Sequence, residues 1–260
     1  MGSPAGGRWR VALIDSCGTR PGALAGAAFV AEGGTVVQRP AVADPTGHGT
    51  RIAQLLEGEA PREGEALREG EALRKGEALR KGEAPREGEA LRDGEAPHEA
   101  GRFDLLLGQV FLDARPASAA AVAAALDWAV EHRAGLVHLS LGLAADRAVL
   151  RAAVERAILA GCVIVAASPA RGPRVYPGAY PQVIRGTGDA RCAPGELSCL
   201  QPGLFGACPR LAAAGAAGAS IGAARVTCAI LEMPPAGAPA VVTALTARST
   251  HRGPERRAQP

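Results

Sequence analysis

The chain is poor in aromatic residues and almost devoid of lysine. Phe, Trp and Tyr make up 3% of its 260 residues, and the two lysines, Lys75 and Lys81, lie close together. Single-stranded nucleic acids bind largely by stacking their bases on aromatic side chains, so this composition argues against nucleic-acid binding. We attribute the many arginines and alanines to a GC-rich coding bias rather than to a binding patch.

Long hydrophobic runs and paired cysteines are missing as well. No stretch of about 18 uncharged apolar residues occurs, which argues against a membrane span. Residues 1–10 lack the apolar segment of a secretory signal, so we expect a cytoplasmic protein with reduced thiols. No two of the six cysteines form a C-x-x-C pair, so a zinc site is not indicated. Cys192, Cys199 and Cys208 share one loop-like region and could meet, but small buried or loop thiols are the simpler expectation.

A six-residue repeat related to Glu-Gly-Glu-Ala-Leu-Arg occupies residues 57–98. A glycine in each unit weakens any helix by about 1 kcal/mol relative to alanine, and three prolines interrupt it further. We therefore predict a mostly disordered, solvated insertion that takes no part in the fold. A contact with a partner protein is the alternative.

Four short apolar runs outside the repeat predict strands that are buried on both faces. These runs are residues 11–14, 105–112, 136–141 and 163–167. Amphipathic segments separate them: Ser118 is placed to cap one helix, and Gly161 to end another that spans 144–160. The alternation of strands and helices predicts an α/β fold with a three-layer, doubly wound, mostly parallel sheet.

The repeat divides the predicted domain into two parts of the sequence. We expect residues 1–56 and 99–246 to form a single domain, with 247–260 as a flexible C-terminal tail. Ligands of such sheets bind beyond the carboxyl ends of the strands, so residues with chemical function just after the apolar runs are candidates for a site.

Three such residues have the types that nucleophilic catalysis needs. Asp15 ends the first run in VALIDSCG, His48 lies between glycines in GHGT, and Ser220 precedes an apolar helix in GASIGAARVTCAIL. Each alone is more simply explained as a turn residue, a structural histidine or a helix cap. Together they supply a hydroxyl nucleophile, a base and a carboxylate that orients the base.

These segments resemble those of the subtilisin-like serine proteases, the subtilases. VALIDS is similar to the family's aspartate strand, GHGTRIA to its histidine motif and GASIGAARVTCAIL to its serine helix, in the order Asp, His, Ser. LDWAVEHRAGLVHLSLG, AGCVIVAASPARG and VYPGAYPQVIRGTG resemble the segments between the histidine and the serine. The six blocks span about residues 10–232 in the correct order.

The resemblance implies a subtilisin-like fold and a serine endopeptidase that acts on a peptide or protein substrate without metal or cofactor. It implies Asp15, His48 and Ser220 as the catalytic triad, with Ser16 supporting the aspartate. Ser140, Leu141 and Gly142 resemble the edge against which a peptide adds as a strand. Ala166, Ala167 and Ser168 resemble a wall of the pocket for the side chain before the scissile bond.

One position departs from the family in a way that concerns catalysis. The asparagine that donates to the oxyanion in subtilases aligns with Ala170, which has no side-chain donor. In subtilisin itself, loss of that donor lowers turnover by about 10²–10³-fold. Arg171 or a loop amide can replace it, together with the backbone amide of Ser220.

We therefore expect an active but dedicated processing protease. It is similar to the small intracellular subtilases that remove a leader peptide during maturation of quinohemoprotein amine dehydrogenase. The alternative is a subtilase-shaped protein that binds peptides with little or no catalysis.

Overall fold

The computed structural model of the protein describes residues 7–58, 102–113, 115–211 and 218–254. Apart from its first two positions, the predicted repeat insertion lies outside the described residues. Within the described ranges, ten strands form one sheet and five helices cover its faces. None of these helices combines the length and the apolar character needed to cross a bilayer.

The elements follow one another in an alternating order. The strands are β1 (Trp9–Asp15), β2 (Ala25–Glu32), β3 (Thr35–Pro40), β4 (Phe103–Gln109), β5 (Leu136–Leu139), β6 (Val163–Ala167), β7 (Ile184–Gly188), β8 (Leu197–Gln201), β9 (Leu204–Ala207) and β10 (His251–Arg252). The helices are α1 (His48–Glu57), α2 (Ala119–Glu131), α3 (Ala148–Leu159), α4 (Ala219–Leu231) and α5 (Ala238–Arg248).

The sheet is mostly parallel, as predicted. Its strand order is β10-β8-β9-β7-β6-β5-β1-β4-β2-β3. All neighbours from β9 to β2 run parallel, whereas β2 with β3 and β8 with β9 form antiparallel pairs. Because β1 pairs with β4 on one side and with β5 on the other, the chain winds away from β1 in both directions.

The strands are buried on both faces because successive side chains point into different cores. In β1, Ala12 and Ile14 enter one hydrophobic core, which α2 and α3 cover. Val11 and Leu13 enter the other, which α1, α4 and α5 cover. The observed architecture therefore has the three predicted layers.

The predicted elements are present, with shifts at some of their ends. Ser118 caps α2, since its hydroxyl oxygen accepts the backbone N–H of Ala121 at 3.0 Å. Helix α3 starts at Ala148 rather than at residue 144, because Leu143 is held by backbone hydrogen bonds to Tyr176. Strands β4 and β5 end two or three residues before their apolar runs do, and the remaining residues leave the sheet.

The C-terminal region differs from the predicted flexible tail. Helix α5 extends to Arg248, and β10 pairs in parallel with β8. The backbone N–H of Thr250 donates to the Leu197 carbonyl at 2.9 Å, and the buried Ser249 hydroxyl donates to the Leu245 carbonyl at 2.8 Å. Such a short strand has no alternating pattern that the sequence alone could reveal.

All six cysteines lie among the described residues, and each carries a free thiol. Cys192, Cys199 and Cys208 are therefore not joined to one another. Within the described ranges, no group of three or more His, Cys, Asp or Glu side chains is arranged to hold a metal ion.

A fully buried histidine, His138, lies in β5. Its Nδ1 is 2.8 Å from the hydroxyl oxygen of Thr227 in α4, and this hydroxyl donates to the Ala223 carbonyl. Nδ1 must therefore carry the proton, and Nε2 has no hydrogen-bond partner among the described residues. Burial, aided by the charge of His48, lowers the pKa of His138 to about 3.

We expect the neutral state of His138 to make the protein sensitive to acid. Below the usual histidine pKa of about 6.5, His138 binds a proton in the unfolded chain but stays neutral in the folded chain. The free energy of unfolding should therefore fall by up to about 1.4 kcal/mol per pH unit from this residue alone. In urea titrations at about pH 7, 6 and 5, His138→Asn should show a shallower decline than the wild type. Equal slopes for wild type and His138→Asn would refute the assignment.

Candidate active site

Asp15 lies where the winding of the sheet reverses. It is the last residue of β1, whose neighbours β4 and β5 belong to the two directions of winding. In open α/β sheets a crevice forms outside the strand ends at this point. The predicted aspartate therefore occupies the position where this architecture places its ligands.

The Asp15 carboxylate is 1% exposed and depends on hydrogen bonds for its charge. Its Oδ1 accepts the Ser16 backbone N–H at 2.6 Å and the Ser16 hydroxyl at 3.1 Å. Nδ1 of His48 lies 2.9 and 3.0 Å from the two carboxylate oxygens. A carboxylate at this position stabilises the Nδ1–H tautomer, which leaves Nε2 of His48 able to accept a proton.

His48 combines an oriented ring with access to solvent. Its side chain remains 35% exposed, although it begins α1 next to the end of β1. Burial alone would lower the pKa of His48, but the hydrogen bond and negative charge of Asp15 outweigh it and raise the pKa above the usual histidine value. The raised pKa means that Asp15 stabilises the protonated, positively charged form of the His48 ring.

Helix α1 begins in direct contact with the end of β1. A Cβ atom at Gly49 would collide with the Cys17 backbone nitrogen and lie 3.1 Å from Cβ of Asp15. The Gly49 backbone N–H donates to the Ser16 hydroxyl oxygen at 2.9 Å. Glycine at position 49 therefore allows the histidine and the aspartate to meet.

Asp44 organises the turn before His48, and sequence reasoning missed it. Its Oδ1 accepts the backbone N–H groups of Thr46 and Gly47 at 3.0 and 2.9 Å. Its Oδ2 accepts both the backbone N–H and the hydroxyl of Thr50 at 2.7 Å. Burial would raise the pKa of Asp44, but the Thr50 and Thr46 hydrogen bonds more than offset this and lower it. Asp44 precedes Pro45, and Asp-Pro is a turn-initiating signal that could have identified it.

The Thr46 hydroxyl joins this turn to the aspartate. It donates to the Ser16 hydroxyl oxygen at 2.9 Å, and Ser16 in turn donates to Asp15. The His48 backbone N–H donates to the Thr46 hydroxyl oxygen at 3.2 Å. One continuous hydrogen-bond network thus runs from Asp44 to Asp15 and encloses the start of α1.

Ser220 is placed by the close approach of α4 to β7. A Cβ atom at Gly222 would collide with the Thr187 carbonyl, and one at Gly186 would lie 2.6 Å from Cβ of Ala223. Strand and helix therefore pack without intervening side chains. This contact fixes the first turn of α4, in which Ser220 is the second residue.

The hydroxyl of Ser220 points toward the end of β5. It donates to the Ser140 carbonyl at 3.4 Å, and within the described part of the chain this is the hydrogen bond that the Ser220 side chain makes. The Ser220–His48 hydrogen bond that proton transfer requires is not formed in this arrangement. The structure thus joins Asp15 to His48 and joins Ser220 to the predicted substrate edge.

The predicted substrate edge lines a cleft of about 400 Å³ beside His48. Ser140, Leu141 and Gly142 form one wall with Leu143, and residues 111, 113 and 115–117 form the opposite wall. Asp15, Ser16, Thr46 and His48 close one end. The segments that left the sheet after β4 and β5 are therefore the walls of this cleft.

The other predicted substrate residues lie at the end of the neighbouring strand. Ala166 pairs with Leu139 of β5, and the Ser168 backbone N–H donates to the Gly186 carbonyl at 2.8 Å. Ala166, Ala167 and Ser168 are all buried. Through this pairing, Ala166 lies beside the strand that leads to Ser140. The role of the three residues as a pocket wall stays a prediction.

Ala170 and Arg171 are not among the residues that line the cleft beside His48. Both are exposed, and they line a groove of about 500 Å³ with Gly188, Asp189 and the β8–β9 hairpin. This groove shares no lining residue with the cleft beside His48. The oxyanion role of these two residues stays a prediction.

Comparisons with known proteins identify similar structures but no close relative. No protein-family model and no curated protein matches the chain. The prenylagaramide maturation protease PagA is 15% identical, with 56% of this chain and 62% of that chain covered, at a TM-score of 0.41. Apa1, a subtilisin-like protease from the Antarctic psychrotroph Pseudoalteromonas sp. AS-11, is 26% identical, with 32% and 20% covered, at a TM-score of 0.29. The chain spans less than two thirds of the length of either protein.

A third solved structure matches almost from end to end. The S41 psychrophilic protease covers 95% of this chain, and 86% of its own chain is covered, at a TM-score of 0.53 and 16% identity. This likeness confirms the predicted subtilisin-like α/β fold. At that identity it concerns the fold alone.

We expect the negative charge of Asp44 to add to the larger effect of Asp15 and to raise the pKa of His48. Asp44→Ala removes that charge and the hydrogen bonds that Asp44 accepts in the turn before α1. The His48 pKa, followed by NMR of the imidazole, should fall in Asp44→Ala and, through loss of charge alone, in Asp44→Asn. Asp127→Asn, an exposed carboxylate paired with Arg156, should leave the titration unchanged. An unaltered His48 titration in both Asp44 variants would contradict this role.

Proposed function

We propose that the protein is a serine endopeptidase that uses Asp15, His48 and Ser220. The observation that carries this proposal is the buried Asp15 carboxylate against Nδ1 of a partly exposed histidine, at 2.9 and 3.0 Å. That pairing prepares Nε2 of His48 to act as a general base. Ser220 would supply the hydroxyl, since it donates to the carbonyl of Ser140, a residue that lines the same cleft.

In the first half of the reaction, Nε2 of His48 takes the hydroxyl proton of Ser220. The Ser220 oxygen then attacks the scissile carbonyl carbon and forms a tetrahedral intermediate. His48, now positively charged beside Asp15, gives the proton to the leaving amine as the C–N bond breaks. For the first step, the Ser220 hydroxyl must rotate from the Ser140 carbonyl toward His48, and catalytic hydrogen bonds often tighten only when substrate binds.

The second half returns the enzyme to its starting state. Water enters, gives a proton to His48 and attacks the acyl carbon, and Ser220 leaves with the proton that His48 returns. The oxyanion of both steps needs donors, and the backbone N–H groups in the first turn of α4 are such donors. The backbone N–H of Ser220 belongs to this turn.

The cleft walls suit an extended peptide. The Ser140–Gly142 segment continues β5 beyond its last sheet pair, which makes it an edge to which a peptide can add as a strand. A peptide there would pass His48 and present a carbonyl to Ser220. The substrate class of the proposal is therefore a peptide or protein in extended conformation.

A second candidate function is peptide binding without cleavage. It is supported by the hydrogen bond of Ser220 to the Ser140 carbonyl instead of to His48, and by alanine at position 170. The narrower role of a dedicated processing protease, and residues 57–98 as an insertion outside the peptidase domain, also remain proposals.

Covalent labelling by a fluorophosphonate separates the two candidates. A serine with an assembled base reacts with this probe, whereas an ordinary serine does not. We expect label on the Ser220 peptide in mass-spectrometric mapping and its loss in Ser220→Ala. Ser118→Ala removes a helix-capping serine of the same chain and should leave the Ser220 label in place.

A well-folded protein that takes up no label, in a preparation where subtilisin reacts fully, would overturn the proposed catalysis. Peptide binding would then be the remaining function of the cleft.

The labelling rate should also depend on pH through His48. Since Asp15 raises the pKa of His48, the rate should fall with decreasing pH around a midpoint above the usual histidine pKa of about 6.5. In Asp15→Asn the midpoint should move to lower pH, and the plateau rate should fall by about 10³–10⁴-fold because the tautomer is no longer fixed. Asp104→Asn, a half-buried carboxylate in β4, should keep the wild-type profile. An unshifted midpoint in Asp15→Asn would exclude His48 as the titrating base.

A further inference from the structure

A fully buried amide, the side chain of Gln109, lies beside the proposed catalytic aspartate. Gln109 is 0% exposed and ends β4, where it pairs in register with Asp15 at the end of β1. The next residue, Val110, donates its backbone N–H to the Asp15 carbonyl at 2.9 Å. The amide is thus next to the cleft, although Gln109 is not among the residues that line it.

The amide of Gln109 joins two segments that meet at the cleft. Its Nε2 donates to the Ser16 carbonyl at 2.8 Å and to the Ala43 carbonyl at 3.4 Å. Its Oε1 accepts the Val42 backbone N–H at 3.0 Å. An amide supplies both the donors and the acceptor that this arrangement needs, whereas a carboxylate would set its negative charge against the two carbonyl oxygens.

The first of these segments, residues 16–18, packs directly on the amide. A Cβ atom at Gly18 would collide with Oε1 of Gln109 and lie 2.6 Å from the Val42 carbonyl oxygen. Close packing resists a shift of this backbone toward the amide, and the hydrogen bonds resist a shift away from it. The amide therefore fixes the distance between the two segments.

Both segments hold the Asp15–His48 pair. In the first, Ser16 donates its backbone N–H and its hydroxyl to Asp15 at 2.6 and 3.1 Å. The second continues into the turn that Asp44 organises. In this turn the Thr46 hydroxyl donates to Ser16 and accepts the His48 backbone N–H. A displacement of either segment would therefore change how the carboxylate of Asp15 meets Nδ1 of His48.

We propose that Gln109 is a positioning residue, which holds Asp15 and His48 in the arrangement of a general base without touching the substrate. The proposal rests on the proposed function, because it concerns the pair that would activate the nucleophile. Without the amide, the buried Ser16 carbonyl would lose a donor, and the tie between the two segments would be gone. A misplacement of about 1 Å in a catalytic site can lower the rate by about 10²-fold.

The test compares Gln109→Met with two control variants, all in the full chain. Methionine is similar in length and apolar, so it fills the same space but supplies neither the donors nor the acceptor. Gln54→Met makes the same change at a half-buried glutamine of α1, and Ser249→Ala removes a buried hydrogen bond in the C-terminal region. The measured quantities are the urea midpoint, the imidazole pKa of His48 by NMR and the plateau rate of fluorophosphonate labelling.

In Gln109→Met we expect the pKa of His48 to fall toward the usual histidine value of about 6.5. The reason is that a loosened contact with Asp15 provides less of the hydrogen bond and negative charge that raise this pKa. The other charges that act on His48, those of Asp44 and Arg51, remain in the variant. The labelling rate should fall by up to about 10²-fold.

The control variants separate positioning from stability. Gln54→Met and Ser249→Ala should both keep the wild-type pKa of His48 and the wild-type labelling rate, although Ser249→Ala lowers the urea midpoint. A Gln109→Met protein that loses stability but keeps the wild-type pKa and labelling rate would overturn the inference, because Gln109 would then be only structural. If Gln109→Met does not fold, Gln109→Asn, whose shorter amide cannot reach both segments, gives the same comparison.

The NMR titration requires no catalysis, so the inference and the protease proposal can fail separately. A lowered pKa of His48 in Gln109→Met, together with a wild type that takes up no label at Ser220, would overturn the proposed catalysis but support the positioning role. A wild type that is labelled at Ser220, together with an unchanged pKa and labelling rate in Gln109→Met, would overturn the positioning role alone.

Discussion

The arrangement around the cleft depends on one buried negative charge, the carboxylate of Asp15. A carboxylate that is 1% exposed is tolerated only where donors surround it. Two of these donors come from the next residue, Ser16, and the third comes from His48 on another element. The need to satisfy this charge therefore fixes where α1 begins, how the histidine ring is turned and which nitrogen carries its proton.

Glycines near the starts of two helices allow these helices to approach the sheet closely and so bring the site residues together. At Gly49 and at Gly222, the start of a helix lies against sheet backbone with no room for a methyl group. α1 is pressed against the end of β1 and α4 against β7, so two residues far apart in sequence are set beside the same strand ends. Protein interiors are close-packed, so a methyl group added at either glycine would have to displace the neighbouring backbone.

The sequence predicted the elements that carry a periodic pattern, and it failed where structure depends on distant contacts. β1, β6 and the Ser118-capped α2 followed directly from apolar runs and capping residues. The end of β5 did not, because Leu141 is as apolar as the strand before it and leaves the sheet only to line the cleft. Asp44 carried a recognisable turn signal, because it precedes Pro45. The hydrogen bonds of Gln109 to Val42 and Ser16 carried none, since they join residues that are 67 and 93 positions apart.

The hydroxyl of Ser220 and the Asp15–His48 pair differ in how firmly they are held. The Ser220–Ser140 hydrogen bond is 3.4 Å long, beyond the favourable range, so little free energy opposes its exchange for one to His48. The Asp15–His48 pair, in contrast, requires a desolvated carboxylate, which lowers stability unless its partners are in place. Holding a peptide along Ser140–Gly142 does not require a histidine that is oriented by a buried carboxylate, so this pair favours the proposed catalysis over binding alone.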